Sequence, residues 1–255
     1  MALTNLDDPG LNGYYAHRYN GEEIDKLLSG VPPGGAADKS VQDIVEATKL
    51  PLRTVEVAAE DLPAYINSLP RLLMEDITIK VTGTLTEFLY IHRFSGSGSL
   101  SIDGNGDCRL KGGVSIRSSS AGISLENLEL SLSEDKLNDI VDIQVSDNVS
   151  IRGCSVAGSR SSNTGGEVGV RADYNSCATL INCGISNCRI ATISAGSTIV
   201  SIYSQNRDDF SGNAVGPYVF RGGIILLSGS TPDLLGGATS AKLGGLIAKG
   251  DGTLL

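Results

Sequence analysis

The chain is 255 residues long, with 32 glycines, no tryptophan and a formal net charge of −9. That much glycine disfavours helical bundles and suits a many-cornered β structure. The acidic balance excludes a general nucleic-acid binder, which needs a basic footprint, and no apolar run is long enough to cross a membrane.

The first 55 residues read as an arm rather than a domain. Asn20 caps a short helix whose apolar stripe is Ile24, Leu27 and Leu28, and Glu22 and Glu23 suit its positive end. Gly30 and the run Pro32-Pro33-Gly34-Gly35 stop it, and a second stripe follows at Val41, Ile44 and Val45. Two such helices cannot bury their stripes alone, so they require the rest of the chain or other copies of it. Asp7, Asp8 and Pro9 interrupt any signal-peptide core, so synthesis in the cytoplasm without export is expected. Residues 62–73 are expected to form a helix that caps the first coil of a repeat region beginning at Ile77.

From Ile77 onward a short apolar pattern recurs. Ile123-Ser124-Leu125-Glu126-Asn127-Leu128-Glu129-Leu130 matches Val149-Ser150-Ile151-Arg152-Gly153-Cys154-Ser155-Val156 and Ala178-Thr179-Leu180-Ile181-Asn182-Cys183-Gly184-Ile185. Each is a two-residue alternation, a corner at Asn or Gly, then a second alternation, as half-buried strands require. Repeat starts fall at residues 77, 100, 123, 149, 178 and 200. The extra residues of the two longest repeats fall in the polar stretches 133–139 and 159–166, as outward loops. A third alternation precedes each new start, at Val114-Ser115-Ile116, Val141-Asp142-Ile143 and Val168-Gly169-Val170. Three short strands per repeat predict an all-β chain folded as a parallel β-helix, right-handed by the chirality of parallel crossovers. Asn127 and Asn182 are expected to hold left-handed corners.

The cysteines are Cys108, Cys154, Cys177, Cys183 and Cys188, an odd number without a CxxC pair. They give neither a disulfide framework nor a zinc site. Cys154 and Cys183 share one inward slot and are expected to stack as reduced core residues. Beyond residue 207 the character changes. Ile224-Ile225-Leu226-Leu227 is an apolar strand in a glycine-rich tail too short to be a separate domain, which predicts burial between chains. The expected organisation is therefore an arm over 1–55, a parallel β-helix over 56–207 and a trimerisation segment over 208–255.

The repeat spacing resembles the pectate-lyase-like β-helices, and within them the trimeric fibres and tailspikes of phages and prophages. Residues 20–28 resemble an N-terminal segment of phage tail proteins, residues 180–188 resemble their β-helix coils, and residues 222–255 resemble their trimer-forming ends. The resemblance implies a homotrimeric virion component, attached to other virion proteins through its arm and serving host attachment, with host-surface polysaccharide as a further partner. Nucleic acid and membrane are not expected as partners. Ile24, Leu27, Leu28, Ile224, Ile225, Leu226 and Leu227 would then make the contacts between chains.

Polysaccharide recognition would use charged groups and a ring on the outward strand positions, and the candidates are Asp142, Asp147, Arg152, Arg171, Asp173 and Tyr174. A glycan lyase would need a basic group to abstract a proton next to a carboxylate, and Arg117, Arg152 and Arg171 stand at strand or strand-end positions but do not share one spacing, so a single arginine row is not expected. A glycan-cleaving tailspike would require two carboxylates set across a sugar, and no pair is singled out by the spacing. Asp103, Asn105 and Asp107 fit a turn better than a calcium loop, because the glycine and terminal glutamate of such a loop are misplaced. No P-loop, dinucleotide fingerprint, metal set or catalytic triad is present, and no cofactor is expected.

Overall fold

The computed structural model describes residues 53–132, 139–159, 167–203, 211–227, 238–249 and 253–254. The arm with Ile24, Leu27 and Leu28 lies outside the described residues, as do both polar insertions apart from Asp139 and Ser159.

The elements in order are β1 (Arg53–Ala58), α1 (Leu62–Ser68), β2 (Ile77–Leu85), β3 (Leu89–His92), β4 (Ser99–Leu110), β5 (Val114–Arg117), β6 (Gly122–Ser131) and β7 (Asp139–Gln144). There follow β8 (Val149–Arg152), β9 (Ser155–Ala157), β10 (Val168–Asp173), β11 (Cys177–Ile181), β12 (Gly184–Ser186) and β13 (Ile190–Ala195). The last are β14 (Thr198–Tyr203), β15 (Val215–Phe220), β16 (Ile224–Leu227), β17 (Ala238–Ala241) and β18 (Leu246–Lys249). An eleven-stranded sheet runs β1-β2-β4-β6-β8-β11-β14-β16-β18, with β9 and β12 continuing from β6 beyond its bend. A seven-stranded sheet runs β3-β5-β7-β10-β13-β15-β17. Strands in both sheets pair in parallel with the equivalent strand of the next coil, as a solenoid requires.

Alternation fills the interior. Ile77, Leu100, Ile123, Val149, Ala178, Ile199, Ile225 and Ile247 are in register and buried. Leu89, Val114, Val141 and Val170 form the facing column on the seven-stranded sheet, with Ile91, Ile116, Ile143 and Ala172 beside it. The sixth repeat start is Ile199 and not Val200, because Val200 pairs with Thr179. Ile199 and Val200 are adjacent and both apolar, so alternation alone leaves the phase ambiguous, and a one-residue slip inverts every side chain.

Three further differences arise from pairing. β1 is in register with β2 from Arg53↔Ile77 onward, so the solenoid opens upstream of the first recognised repeat. The helix is shorter than expected and lies inside the first coil. It contacts β1 and β3 and buries Leu62 and Ile66 in the place a strand takes in later coils. The tail contributes β15 to β18, which extend the same two sheets beyond residue 207.

The corners explain how the coils stay in phase. Asn127, Gly153 and Asn182 hold one corner with φ of 52°, 59° and 52°. At Gly153 a Cβ would lie 2.7 Å from Asn127 Oδ1, so glycine is required there for space as well as for backbone. At each described exit of the seven-stranded sheet the chain turns through a left-handed residue, Arg93, Ser118, Val145, Tyr174, Gly196, Arg221 and Leu243 in turn, with Asn175, Gly222 and Gly244 following as a second at three of them. Next to that column runs a stack of buried serines. The amides of Phe94, Ser119, Ser146 and Ser176 donate to Oγ of Ser119, Ser146, Ser176 and Ser197, at 3.1 to 3.3 Å. Each Oγ in turn donates to a carbonyl of its own coil, those of Arg117, Gln144, Asp173 and Ala195. Corner amides that no strand can satisfy are thereby paired without water. Cys154 and Cys183 stack as expected, their thiols donating to the carbonyls of Leu125 and Arg152 and of Ile151 and Ile181.

Candidate functional site

Residues between the core columns of the seven-stranded sheet project outward. Two rows result from the register: Tyr90, Ser115, Asp142, Arg171, Ile193 and Tyr218; then His92, Arg117, Gln144, Asp173, Ala195 and Phe220. Ionic groups occupy the middle. Arg117 Nη2 donates to Asp142 Oδ2 at 2.7 Å and its Nε to Ser115 Oγ at 2.8 Å, while Gln144 Nε2 sits 3.1 Å from both Asp142 oxygens. Arg171 Nε donates to Asp173 Oδ2 at 2.6 Å and its Nη1 to Asp139 Oδ2 at 3.5 Å. Asp173 Oδ1 is buried with no hydrogen-bond partner among the described residues.

Electrostatics follow from the burial. Burial pushes the Asp139 carboxyl up to about 6, outweighing Arg171, and the Asp142 and Asp173 charges push the same way. Burial lowers the Arg171 guanidinium, but the hydrogen bond to Asp173 and the charges of Asp139, Asp173 and Asp142 more than offset it and raise it overall.

Rings occupy both ends of the face. Phe88 and Tyr90 lie 4.9 Å apart and Tyr90 and His92 6.3 Å apart. At the other end Tyr218 and Phe220 lie 5.6 Å apart, with Lys242 over the first and Arg221 over the second. The five strand steps from β3 to β15 separate the two ring groups by about 24 Å.

The fold brings Asp142, Arg171 and Asp173 together and sets Tyr174 at the adjoining corner, well exposed. Asp147 is exposed in the bend before β8, away from that cluster in the chain path. Arg152 belongs to the other sheet, where its Nε donates to Ser150 Oγ at 2.8 Å. Of the tail residues expected between chains, Ile225 and Leu227 fill the solenoid's own core, while Ile224 and Leu226 alternate outward and are partly exposed. Asp103, Asn105 and Asp107 lie in the bend of β4, where Asp103 Oδ1 accepts from the Asn105 amide and from Asn127 Nδ2. Asp139, Gln144, Tyr90, Tyr218 and Phe220 were not singled out from sequence, and Arg117 only as a member of a discarded row. Aligning Val114–Arg117, Val141–Gln144 and Val170–Asp173 by their apolar residues would have placed Ser115, Asp142 and Arg171 side by side.

A second concavity of about 460 Å³ lies beside the asparagine corner, lined by Asn105, Asn127, Glu129, Gly153 and Ser155 among others. It has no ring, so the seven-stranded face is the stronger candidate for an extended ligand. Comparison with protein-family models, curated proteins and solved structures finds no match for this chain.

Proposed function

We propose that this chain is a homotrimeric β-solenoid appendage of a phage or prophage particle. It would join other virion proteins through residues 1–55 and bind host-surface polysaccharide through the outer face of the seven-stranded sheet. The observation that carries the binding role is the pair of ring groups flanking an ionic cluster along the solenoid axis. Aromatic faces stack on the apolar faces of sugars, and the charged side chains between them supply directional hydrogen bonds. The resemblance of the two ends to phage proteins supports the particle and trimer, as do the outward Ile224 and Leu226.

A second reading, cleavage of the bound glycan, draws on Asp139. A carboxyl held near 6 beside other carboxylates is suited to general acid work. One experiment addresses both. The full chain is measured by sedimentation for mass, then incubated with a panel of bacterial capsules and lipopolysaccharides. A trimer that retains glycan without releasing reducing or unsaturated ends is the expected result. A monomer that retains none overturns the proposal, and released ends favour the cleaving enzyme.

A further inference from the structure

One turn outside the ionic face carries reactive groups of its own. β4 pairs with β2 and β6 as far as Asp103 and again from Cys108. Between those points four residues of β4 stand against two of β2 and one of β6, so residues 104–107 bulge from both ladders. Asn105 and Gly106 form the tip with φ of 47° and 83°, and both are exposed, as is Asp107. A Cβ on Gly106 would meet nothing within 4 Å, so this residue stands in open space. Every other asparagine among the described residues precedes a residue with a side chain, from Ser68 after Asn67 to Ala214 after Asn213. The turn is also tied to the next coil. Asp103 Oδ1 accepts from the Asn105 amide at 3.0 Å and from Asn127 Nδ2 at 2.9 Å. Asn105 and Asn127 both line the concavity of about 460 Å³.

We propose that Asn105 is a site of spontaneous modification, where the side-chain amide is exchanged for a carboxylate and the asparagine corner is loosened. This does not depend on the glycan reading of the ionic face. The Gly106 nitrogen loses its proton and attacks Cγ of Asn105. A C–N bond forms, the bond from Cγ to Nδ2 breaks, and ammonia leaves with that proton. The product is a cyclic imide. Water adds to either imide carbonyl and opens the ring, leaving aspartate or isoaspartate at position 105. No reactant besides water is needed. Glycine favours the attack, because no side chain crowds its nitrogen and its backbone is free to swing towards Cγ. The new carboxylate stands beside Asp103 and Asp107, and like charges at short range repel. Isoaspartate also lengthens the turn by a backbone carbon. Both changes draw Asp103 away from Asn127 and reshape the wall of the concavity.

The test holds the full, folded chain at 37 °C and pH 9, where the glycine amide loses its proton more often. Peptide mapping by mass spectrometry locates the exchanged amides, and enzymatic methylation reads isoaspartate. Asn105 is expected to convert before any other described asparagine, with aspartate and isoaspartate both formed. Gly106→Ala crowds the nitrogen and should slow the conversion about tenfold or more. The positive φ strains that variant, so if it fails to fold, Asn105→Gln replaces it, with the same slowing expected because its amide must close a larger ring. Converted chains, separated from fresh ones by anion exchange, should exchange amide hydrogens faster at residues 126–128. Asn12-Gly13 and Asn20-Gly21 carry the same dipeptide outside the described residues and serve as a reference within the chain. Conversion at those two with none at Asn105 overturns the proposal, as does conversion of Asn127 as fast as that of Asn105. Unchanged exchange at residues 126–128 in converted chains overturns the loosening of the corner.

Discussion

Asp139 shows how one side chain couples the ionic cluster to pH. Its carboxyl moves from the ordinary value of 3.8 to about 6 in the fold. Between those values the folded chain holds a proton that the unfolded chain has released. Stability therefore falls as pH rises through this window and is flat above it, by up to about 3 kcal/mol. Asp139→Asn is expected to abolish that fall and to raise the melting temperature at neutral pH by roughly 2–8 °C. Thermal melts from acid to neutral pH check this, and an unchanged profile in the variant would assign the proton to another group. Nothing in the sequence around Asp139 marks it out. Its upward shift comes from burial, with the charges of Asp142 and Asp173 adding to it and Arg171 opposing it; Arg171 and Asp173 lie more than thirty residues downstream and meet it only through the β7–β10 pairing. By contrast, Asp142, Arg171 and Asp173 were legible, because they occupy outward slots of recognisable strands.

Among the elements, the corners carry more of the specificity than the strands. Ser146 is fully buried, accepts from the Ser119 amide and donates to the Gln144 carbonyl. Ser146→Ala leaves that amide without an acceptor and should cost about 1–3 kcal/mol. Ser120→Ala, at an exposed neighbour, should change stability by less than about 0.5 kcal/mol. Urea unfolding of the two variants checks the contrast, and equal effects would deny the serine stack its role. The strands from Ile77 to Leu180 were legible because alternation and an Asn or Gly corner coincide there. The serine stack was not, because serine is common in loops and its pairing runs between residues more than twenty apart. In the tail the apolar strand at Ile224–Leu227 was legible, but its place as a further turn of the solenoid was not, for a related reason. No asparagine follows Asn213 in the sequence, so the alternations of the tail do not announce a coil.

On the scale of the molecule, one continuous core runs from Ala59 to Ile247. Its thiols report on it. Burial pushes Cys108 up to about 11 and Cys154 and Cys188 up to about 12, so these thiols are protonated and shielded in the fold. Cys177 is partly exposed. Alkylation read by mass spectrometry should modify Cys177 first and the four buried cysteines, Cys108, Cys154, Cys183 and Cys188, at least about a hundredfold more slowly. In rising urea, Cys108, Cys154 and Cys188 lie in different coils and should lose protection at one common midpoint. Three separate midpoints would show a chain that frays coil by coil. The fold class was legible from the repeat because a solenoid writes its geometry into the sequence once per coil. The binding face was only partly legible, because it is assembled across coils from residues that each coil alters.

The serine stack has a consequence for length. Every rung uses the same donor and the same acceptor one coil away, so the relay closes only when a full coil is present. Rungs of 25, 27, 30 and 21 residues all close the relay, so loop length within a coil is free; removing one serine corner would strand an amide, whereas duplicating the stretch between Ser146 and Ser176 would join the relay to itself. Growth and shortening of this molecule are therefore quantised in whole coils. The rows displayed on its outer face lengthen in the same discrete steps.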